Sequence, residues 1–208
     1  MIVCVGDAHG NSAALAKIVR EHPAATVIQV GDFGLWPQLR RQYVIPERPV
    51  YFIAGNHEHH PSIRGITTVT EVWPNALYVP RGTVLELDGK RIGFCGGADS
   101  VDCAFRTPQV DWFPDEAVRD VDVDPARYGS VDLLVTHSPP QSAIAANFDP
   151  RQLAVFGLPP TWVSDSAVRI QRLWEALGHP PLICGHMHAS VRHRGVTILR
   201  ELEVVEIP

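Results

Sequence analysis

The sequence predicts an α/β fold in which two packed β-sheets are flanked by helices, in four layers. At the start of the chain, apolar runs rich in β-branched residues alternate with segments of helical spacing, in the order βαβαβ. This order implies a parallel sheet with right-handed crossovers. The middle of the chain differs, because short strand-like runs surround an Asp88-Gly89 hairpin signal. A fourth apolar run and a long helix further along complete the expected architecture.

The elements of the first half follow from local spacing and capping. The apolar strand Ile2–Gly6 leads to a helix expected to start near Asn11 or Ser12, since either side chain can cap it. Leu15 and Ile18 give the spacing of a buried helical stripe. The other elements expected up to residue 63 are the strands Thr26–Val30 and Val50–Ala54 and the short helices Leu35–Tyr43 and His57–Ile63.

The second half is expected to hold further strands, one long loop and one long helix. The loop is Ser138–Pro160, which contains several Pro, Gly and Asn residues. The helix is Asp165–Leu177, capped by Ser164 or Asp165. The expected strands are Leu77–Val79, Thr83–Leu87, Arg91–Cys95 and Val131–Val135, with a short helix at Asp115–Asp120 and a final hairpin of Val196–Leu199 with Leu202–Ile207. Without an internal repeat or a linker, residues 1–208 are interpreted as a single domain.

Composition and charge narrow the class of protein. With 45% hydrophobic and 20% charged residues the chain is typical of a globular protein, and no apolar stretch is long enough to span a bilayer. The net charge is −5 and Lys occurs only at positions 17 and 90, so no stable nucleic-acid complex is expected. The four cysteines lack CxxC spacing and are interpreted as buried reduced thiols. Without a recognisable secretory signal, the expected location is the cytoplasm.

Five short clusters of Asp, Asn and His follow apolar runs. Because the carboxyl ends of parallel strands meet at one edge of a sheet, we expect these clusters to converge there. Carboxylate and amide oxygens combined with imidazole nitrogens, without thiolate, suit divalent Mn, Fe or Zn. The clusters are Asp7-Ala8-His9, Gly31-Asp32, Gly55-Asn56-His57-Glu58, Thr136-His137 and Gly185-His186-Met187-His188.

The donors in these clusters are too many for one ion and suit two. Asp32, at the end of the second strand, is placed to bridge two ions through its two oxygens, and is therefore a catalytic as well as a metal-ligating candidate. Two ions about 3.5–4 Å apart acidify a shared water to hydroxide, which then attacks phosphorus in line. His57 is placed to act as a general acid on the leaving oxygen. The candidate metal ligands are Asp7, His9, Asp32, Asn56, His137, His186 and His188.

In this order, the clusters resemble the motif pattern of the calcineurin-like metallophosphoesterases. That pattern reads Asp-x-His, Gly-Asp, Gly-Asn-His-Glu or -Asp, an isolated His, and Gly-His-x-His, and here it covers residues 7 to 188. The resemblance implies the metallo-dependent phosphatase fold, a four-layer α/β/β/α sandwich of two mixed sheets. It further implies that Asp32 bridges, that His57 is the catalytic imidazole, and that the two ions are held by Asp7, His9 and His188 and by Asn56, His137 and His186.

The second cluster departs from the pattern of the Ser/Thr protein phosphatases in this family. Their second Asp is replaced here by Leu35 and their Arg by Trp36. A dianionic phosphomonoester gains most from an extra guanidinium, so the departure favours monoanionic diesters. Four other arginines could serve instead. They are Arg40, Arg64, Arg81 and Arg106.

The sequence is similar to a branch of the family associated with 2′,3′-cyclic nucleotide hydrolysis. The segments that carry this similarity are Gly31–Phe33, Ala54–Glu58 and Thr136–Pro140. We therefore expect a phosphodiesterase that acts on a small phosphodiester or nucleotide with two divalent ions, Mn²⁺ in the first place and Fe, Zn, Co or Ni as alternatives. A phosphomonoesterase acting on a protein or nucleotide and a non-catalytic metal-binding scaffold remain the alternatives. A nuclease is disfavoured by the acidic charge.

Overall fold

The computed structural model describes residues 1–208. Its strands are β1 (Ile2–Val5), β2 (Thr26–Gln29), β3 (Val50–Phe52), β4 (Thr70–Trp73), β5 (Ala76–Tyr78), β6 (Thr83–Leu87), β7 (Lys90–Cys95), β8 (Leu133–Thr136), β9 (Leu182–Cys184), β10 (Val191–His193), β11 (Val196–Ile198) and β12 (Val204–Ile207). Its α-helices are α1 (Ser12–Glu21), α2 (Gln141–Asn147) and α3 (Asp165–Ala176). Short 3₁₀ segments cover Pro37–Gln42, His60–Ser62, Cys103–Phe105, Pro114–Glu116, Asp120–Asp122, Pro125–Arg127 and Pro150–Phe156.

The strands form two six-stranded mixed sheets of the same design. The first has the order β12-β1-β2-β3-β5-β4 and the second the order β10-β11-β9-β8-β7-β6. In each sheet the four central strands run parallel, and the strand at each edge is antiparallel to its neighbour. The predicted α/β class with two mixed sheets is confirmed.

Alternating side chains of β1 show how the layers pack. Ile2 and Cys4 point into the apolar layer between the sheets, where they join residues of the second sheet such as Phe94. Val3 and Val5 point to the other face and share a core with α1. On the far side, α3 packs its apolar stripe against the second sheet through Ile170, Leu173 and Trp174. The four-layer α/β/β/α arrangement predicted from the sequence is therefore confirmed.

The predicted final hairpin is wrong. β11 pairs in parallel with β9 of the second sheet, whereas β12 crosses over and pairs antiparallel with β1 of the first. The hairpin lies one strand earlier, between β10 and β11, where Arg194 and Gly195 both have positive φ angles, 46° and 83°. Two residues with positive φ are the requirement of a tight hairpin turn. Strands β4 and β10 were absent from the prediction.

The long loop predicted at Ser138–Pro160 is also only partly correct. The segment contains α2, whose Ala143 is buried in the second core, and the 3₁₀ segment Pro150–Phe156. The short helices predicted at Leu35–Tyr43 and His57–Ile63 are present as 3₁₀ turns with narrower bounds. The helix predicted at Asp115–Asp120 is wrong, because this stretch overlaps only the ends of two separate 3₁₀ turns, Pro114–Glu116 and Asp120–Asp122. Proline at the start of most of these turns favours such short pieces. None of the helices combines the length and apolarity that crossing a lipid bilayer requires.

Candidate metal centre

The five clusters predicted from the sequence meet at the carboxyl ends of the central strands. Asp7, Asp32 and Asn56 come from the loops that follow β1, β2 and β3 of the first sheet. His137 and His186 come from the loops that follow β8 and β9 of the second. The site therefore lies where the edges of both sheets meet, and each sheet supplies part of it.

The backbone of these loops is unusual at the residues that carry the donor atoms. Asp32 and His186 have φ angles of 54° and 70°, and His9 and His188 have 45° and 50°. Positive φ is uncommon outside glycine and concentrates at functional sites. Gly185 shows how tightly the loops pack, because a Cβ at this position would collide with Asp7 Oδ1. The tight turns aim the four side chains inward at a cost in backbone strain.

A first group of donors consists of Asp7, His9, Asp32 and His188. Their ligand atoms all lie within 4.8 Å of one another. His9 Nε2 lies 3.3 Å from His188 Nε2 and 3.8 Å from Asp32 Oδ2. His188 Nε2 lies 3.6 Å from Asp7 Oδ2. The two carboxylates are fully buried and both imidazoles are exposed, so the group opens to solvent on the histidine side.

A second group is centred on the amide oxygen of Asn56. Asn56 Oδ1 lies 3.2 Å from His137 Nε2 and 3.0 Å from His186 Nδ1. The Asn56 amide nitrogen donates to Ser100 Oγ at 3.0 Å, which turns the oxygen toward the imidazoles. One amide and two imidazole side chains thus direct their lone-pair atoms at one point beside the first group.

Asp32 connects the two groups. Its Oδ1 accepts the backbone N–H of His57 at 2.8 Å. Its Oδ2 is buried without any hydrogen-bond partner, and lies 3.4 Å from His137 Nε2 and 3.8 Å from His9 Nε2. An unpartnered buried carboxylate oxygen is costly unless a cation compensates it. The donor set therefore fits two divalent cations that share Asp32.

Buried polar residues behind the donors hold the loops in place. Glu58 is fully buried and accepts the backbone N–H groups of Gly34 and Gly55, which ties the second and third loops together. The amide nitrogen of Gln29 donates to the carbonyl oxygens of Gly6 and Gly31, and its amide oxygen accepts the backbone N–H of Gly31. Gln29 and Ser100 were not among the residues predicted from the sequence. Only Gln29 carries a signal, as a polar residue at the end of an otherwise apolar strand.

Burial and charge set the protonation of the centre without its cations. Burial opposes the charged form of His137, but the adjacent carboxylates of Asp32 and Asp7 outweigh it and raise the pKa of His137 to about 10. Burial raises the pKa of Asp7 to about 6 and lowers that of His186 to about 3. A proton on His137 thus neutralises part of the carboxylate charge, and a cation must displace it to bind.

We expect the metal-free protein to lose stability as the pH rises above about 6.5. His137 has a pKa of about 10 in the fold against its ordinary 6.5, so the folded state keeps a proton that the unfolded chain releases. Its stabilisation is complete below 6.5 and disappears as the pH rises through 10, with a slope of at most about 1.4 kcal/mol per pH unit. Urea unfolding in EDTA between pH 6.5 and 9 measures this slope.

In the matched variant His137→Gln, the free energy of unfolding should change much less with pH. His193→Gln, in the edge strand β10, should leave it unchanged. A wild-type profile that is already flat or that rises with pH would contradict the assignment of the buried proton to His137.

The imidazole of His57 lies beside the first group, with its ring 5.3 Å from the ring of His9. It is half-buried and in contact with the guanidinium of Arg106, whose Nη2 lies 2.5 Å from Nδ1 and 2.7 Å from Nε2. Burial, and then the charge of Arg106, lower the pKa of His57 to about 4. At neutral pH the ring is therefore uncharged and carries a single N–H.

The residues that replace the Asp and Arg of the protein phosphatases have structural contacts. Leu35 is buried in the core of the first sheet. Trp36 donates its indole N–H to the carbonyl oxygen of His57 at 2.6 Å. Of the four alternative arginines, only Arg106 contacts a member of the predicted site. Arg64 pairs with Asp115, and Arg81 bonds carbonyl oxygens of the 115–117 turn and the Asp122 carboxylate.

The family model of the calcineurin-like phosphoesterases matches residues 1–190. The chain belongs to this family. A calcineurin-like phosphoesterase is a metal-dependent phosphoester hydrolase, and members typically bind two divalent metal ions, in agreement with the cluster of Asp and His described above. A comparison with curated proteins found no match.

Within this calcineurin-like phosphoesterase, every residue predicted as a ligand from the sequence lies in one of the two donor groups. Two further histidines, His59 and His60, follow His57 in the third loop. His60 is 3% exposed and its Nε2 lies 3.2 Å from the carbonyl oxygen of Gly55. His59 is half-buried against Trp36. His60 therefore supports the loop that carries Asn56.

Proposed function

We propose that this protein is a dinuclear-metal-dependent phosphodiesterase that hydrolyses small phosphodiesters such as 2′,3′-cyclic nucleotides. The charge around His57 is the observation that favours a phosphodiester over a phosphomonoester as the substrate. The one guanidinium at the site, Arg106, donates to the Asp102 carboxylate at 2.9 Å, so it contributes little net positive charge. A monoanionic diester tolerates this environment better than a dianionic monoester does.

In this proposal, the donors divide as the family resemblance implies. Asp7, His9 and His188 would hold one cation, Asn56, His137 and His186 would hold the other, and Asp32 would contribute to both. Such a pair of cations would supply an acidified water molecule and charge compensation for the phosphoryl group. Oxygen and imidazole donors without thiolate are consistent with Mn²⁺, and Fe, Zn, Co or Ni are the alternatives.

His57 supplies the proton for the leaving group. In the metal-free protein the ring is neutral, and the contact with Arg106 and the edge of His9 fix the direction in which it faces. The negative charge of a bound phosphoryl group favours the protonated ring, which donates an N–H to the leaving alkoxide as the ester bond breaks and returns to the neutral imidazole. Its backbone N–H donates to Asp32 Oδ1, which couples the position of His57 to the shared metal ligand.

The proposed partners are a small phosphodiester or nucleotide, without a stable nucleic-acid complex or a membrane. The net charge of −5 supports the absence of a nucleic-acid complex, because such binding depends on a basic surface. The cytoplasm remains the proposed location. The four cysteines are all free, as is usual for proteins of a reducing compartment. Three of them are buried as predicted, whereas Cys103, in a 3₁₀ turn between β7 and β8, is exposed.

A substrate panel tests the proposal. Protein stripped with a chelator and reloaded with Mn²⁺ is assayed on bis-nitrophenyl phosphate, 2′,3′- and 3′,5′-cyclic nucleotides, nitrophenyl phosphate and a phosphopeptide. We expect kcat/KM for the best diester to exceed that for the best monoester by at least about tenfold, the effect of roughly one unfavourable charge contact. The reverse ratio would establish a phosphomonoesterase instead. If no substrate is hydrolysed with any divalent metal, the protein is a non-catalytic metal-binding scaffold.

A further inference from the structure

The segment between β7 and β8 brings a third set of side chains to the centre. Ser100 accepts the amide N–H of Asn56, and Arg106 contacts the imidazole of His57. Glu116, which is 2% exposed, accepts the backbone N–H of Ser100 and the indole N–H of Trp112 through Oε1. One connection between two strands thus contacts both a proposed metal ligand and the proposed acid.

Arg106 is the residue of this segment with unused hydrogen-bonding capacity. Its side chain is 8% exposed. Nε donates to Asp102 at 2.9 Å, and Nη1 is directed at the carbonyl oxygens of Asp111 and Asn56, at 3.3 Å and 3.5 Å. Nη2 contacts only His57. An imidazole ring offers at most one acceptor nitrogen, so at least one of the two Nη2 hydrogens has no acceptor.

That spare N–H lies beside the place where a substrate must bind. Arg106 Nη2 lies 2.7 Å from His57 Nε2, and the ring of His57 lies 5.3 Å from the ring of His9 in the first donor group. A phosphoryl group held beside the His57 ring therefore has Arg106 as its neighbouring guanidinium donor. Arginine forms short, directional hydrogen bonds to phosphate oxygens, which a water molecule at the same position does not match.

The carboxylates next to Arg106 determine which phosphate it favours. Asp102 lies 2.9 Å from Nε, and Glu116 Oε2, which has no hydrogen-bond partner, lies 4.0 Å from Nη1. The guanidinium can therefore donate hydrogen bonds without presenting a full positive charge. An esterified phosphate with one negative charge fits this arrangement, whereas a second negative charge meets the adjacent carboxylate.

We propose that Arg106 binds a non-bridging phosphoryl oxygen of the substrate, and that Asp102, by pairing with it, selects monoanionic diesters over dianionic monoesters. The second part rests on the proposed phosphodiesterase function, and the first part does not. Arg106 is then a substrate-binding residue, and Asp102 a specificity-determining residue that acts through it.

The experiment compares Arg106→Met, Arg106→Lys and Asp102→Asn in the Mn²⁺-loaded protein. Arg64→Met and Asp115→Asn serve as controls, because Arg64 and Asp115 form a similar ion pair whose only charged partners are each other. For each variant, kcat/KM is measured on bis-nitrophenyl phosphate and on nitrophenyl phosphate. Binding of inorganic phosphate is measured by titration calorimetry, and metal content and melting temperature show that the centre is intact.

Arg106→Met should lower kcat/KM for the diester by about 10- to 100-fold and weaken phosphate binding by about tenfold or more, the usual effect of losing a charged hydrogen bond. Arg106→Lys should recover part of this loss, since the ammonium keeps the charge without the planar fork. Asp102→Asn should raise the monoester-to-diester ratio of kcat/KM by about tenfold and tighten phosphate binding. The control pair should change neither quantity.

Unchanged phosphate binding in Arg106→Met would overturn the role of Arg106, and an unchanged ratio in Asp102→Asn would overturn the role of Asp102. If Arg106→Met does not fold, Arg106→Lys and Asp102→Asn decide both points. A wild-type protein that prefers monoesters would refute the proposed phosphodiesterase function and the role of Asp102. The phosphate titration would still decide whether Arg106 contacts the phosphoryl group.

Discussion

Asp32→Asn is expected to reduce phosphoester hydrolysis by at least about a thousandfold. The asparagine keeps an oxygen for the backbone N–H of His57, which Asp32 Oδ1 now accepts at 2.8 Å. It replaces the charged and unpartnered Oδ2, however, with an amide N–H₂ that cannot bind a cation. The charge stabilisation that a shared metal centre supplies amounts to several kcal/mol, and each 1.4 kcal/mol corresponds to a tenfold rate. The loss should therefore appear in kcat with every ester.

Metal content measured by elemental analysis, together with steady-state kinetics, checks this expectation. The variant should retain fewer ions than the wild type. The matched control is Asp132→Asn, because Asp132 also accepts a backbone N–H, that of Arg91, but lies outside the centre. It should keep full activity and metal content. An Asp32→Asn protein with more than about a tenth of the wild-type rate would refute the sharing of Asp32 by two cations.

His57→Gln is expected to lower kcat by about 10²- to 10⁴-fold on substrates with an alkoxide leaving group. The size of the effect should depend on the leaving group. A nitrophenolate departs readily without a proton, so the same variant should lose far less activity on bis-nitrophenyl phosphate than on a 2′,3′-cyclic nucleotide. Comparing wild type and variant on these two diesters measures the contribution of the proton alone, since binding to the cations is common to both.

The control for this experiment is His59→Gln. His59 is two residues away, is half-buried against Trp36, and bonds Ser62 Oγ through Nδ1 at 2.7 Å rather than facing the donors. It should leave both rates within a few-fold of the wild type. Equal losses on both diesters in His57→Gln would assign His57 a structural role at the loop of Asn56 instead of proton transfer.

The donor residues could be predicted from the sequence because the ends of apolar strands can be recognised in it. Asp32 and His137, which lie 3.4 Å apart, each follow an apolar run, and parallel strands bring such ends together whatever the loops between them do. The four layers were also predicted correctly, because the period-two alternation in β1 and the helical spacing in α1 are local patterns of the sequence. The roles of these donors as ligands remain predictions, and the Asp32→Asn variant tests the shared one.

Arg106 could not have been chosen from the sequence in the same way. It lies between β7 and β8 in a segment of short turns without regular periodicity, and three other arginines were equally good candidates. Its position depends on tertiary contacts, with Arg81 anchoring the turn that contains Glu116 and Glu116 accepting from Ser100. The crossing of β12 to the first sheet was missed for a related reason, because a short connection does not reveal which sheet the next strand joins.

The distribution of the donors along the chain also bears on biosynthesis. His9 and His188, whose ring nitrogens lie 3.3 Å apart, are 179 residues apart in sequence. A nascent polypeptide that has not yet emerged from the ribosome beyond residue 185 lacks His186 and His188, and therefore one donor of each group. We expect neither group to bind an ion fully before this segment joins the fold, so a translation product that ends before His186 should show no metal-dependent hydrolysis.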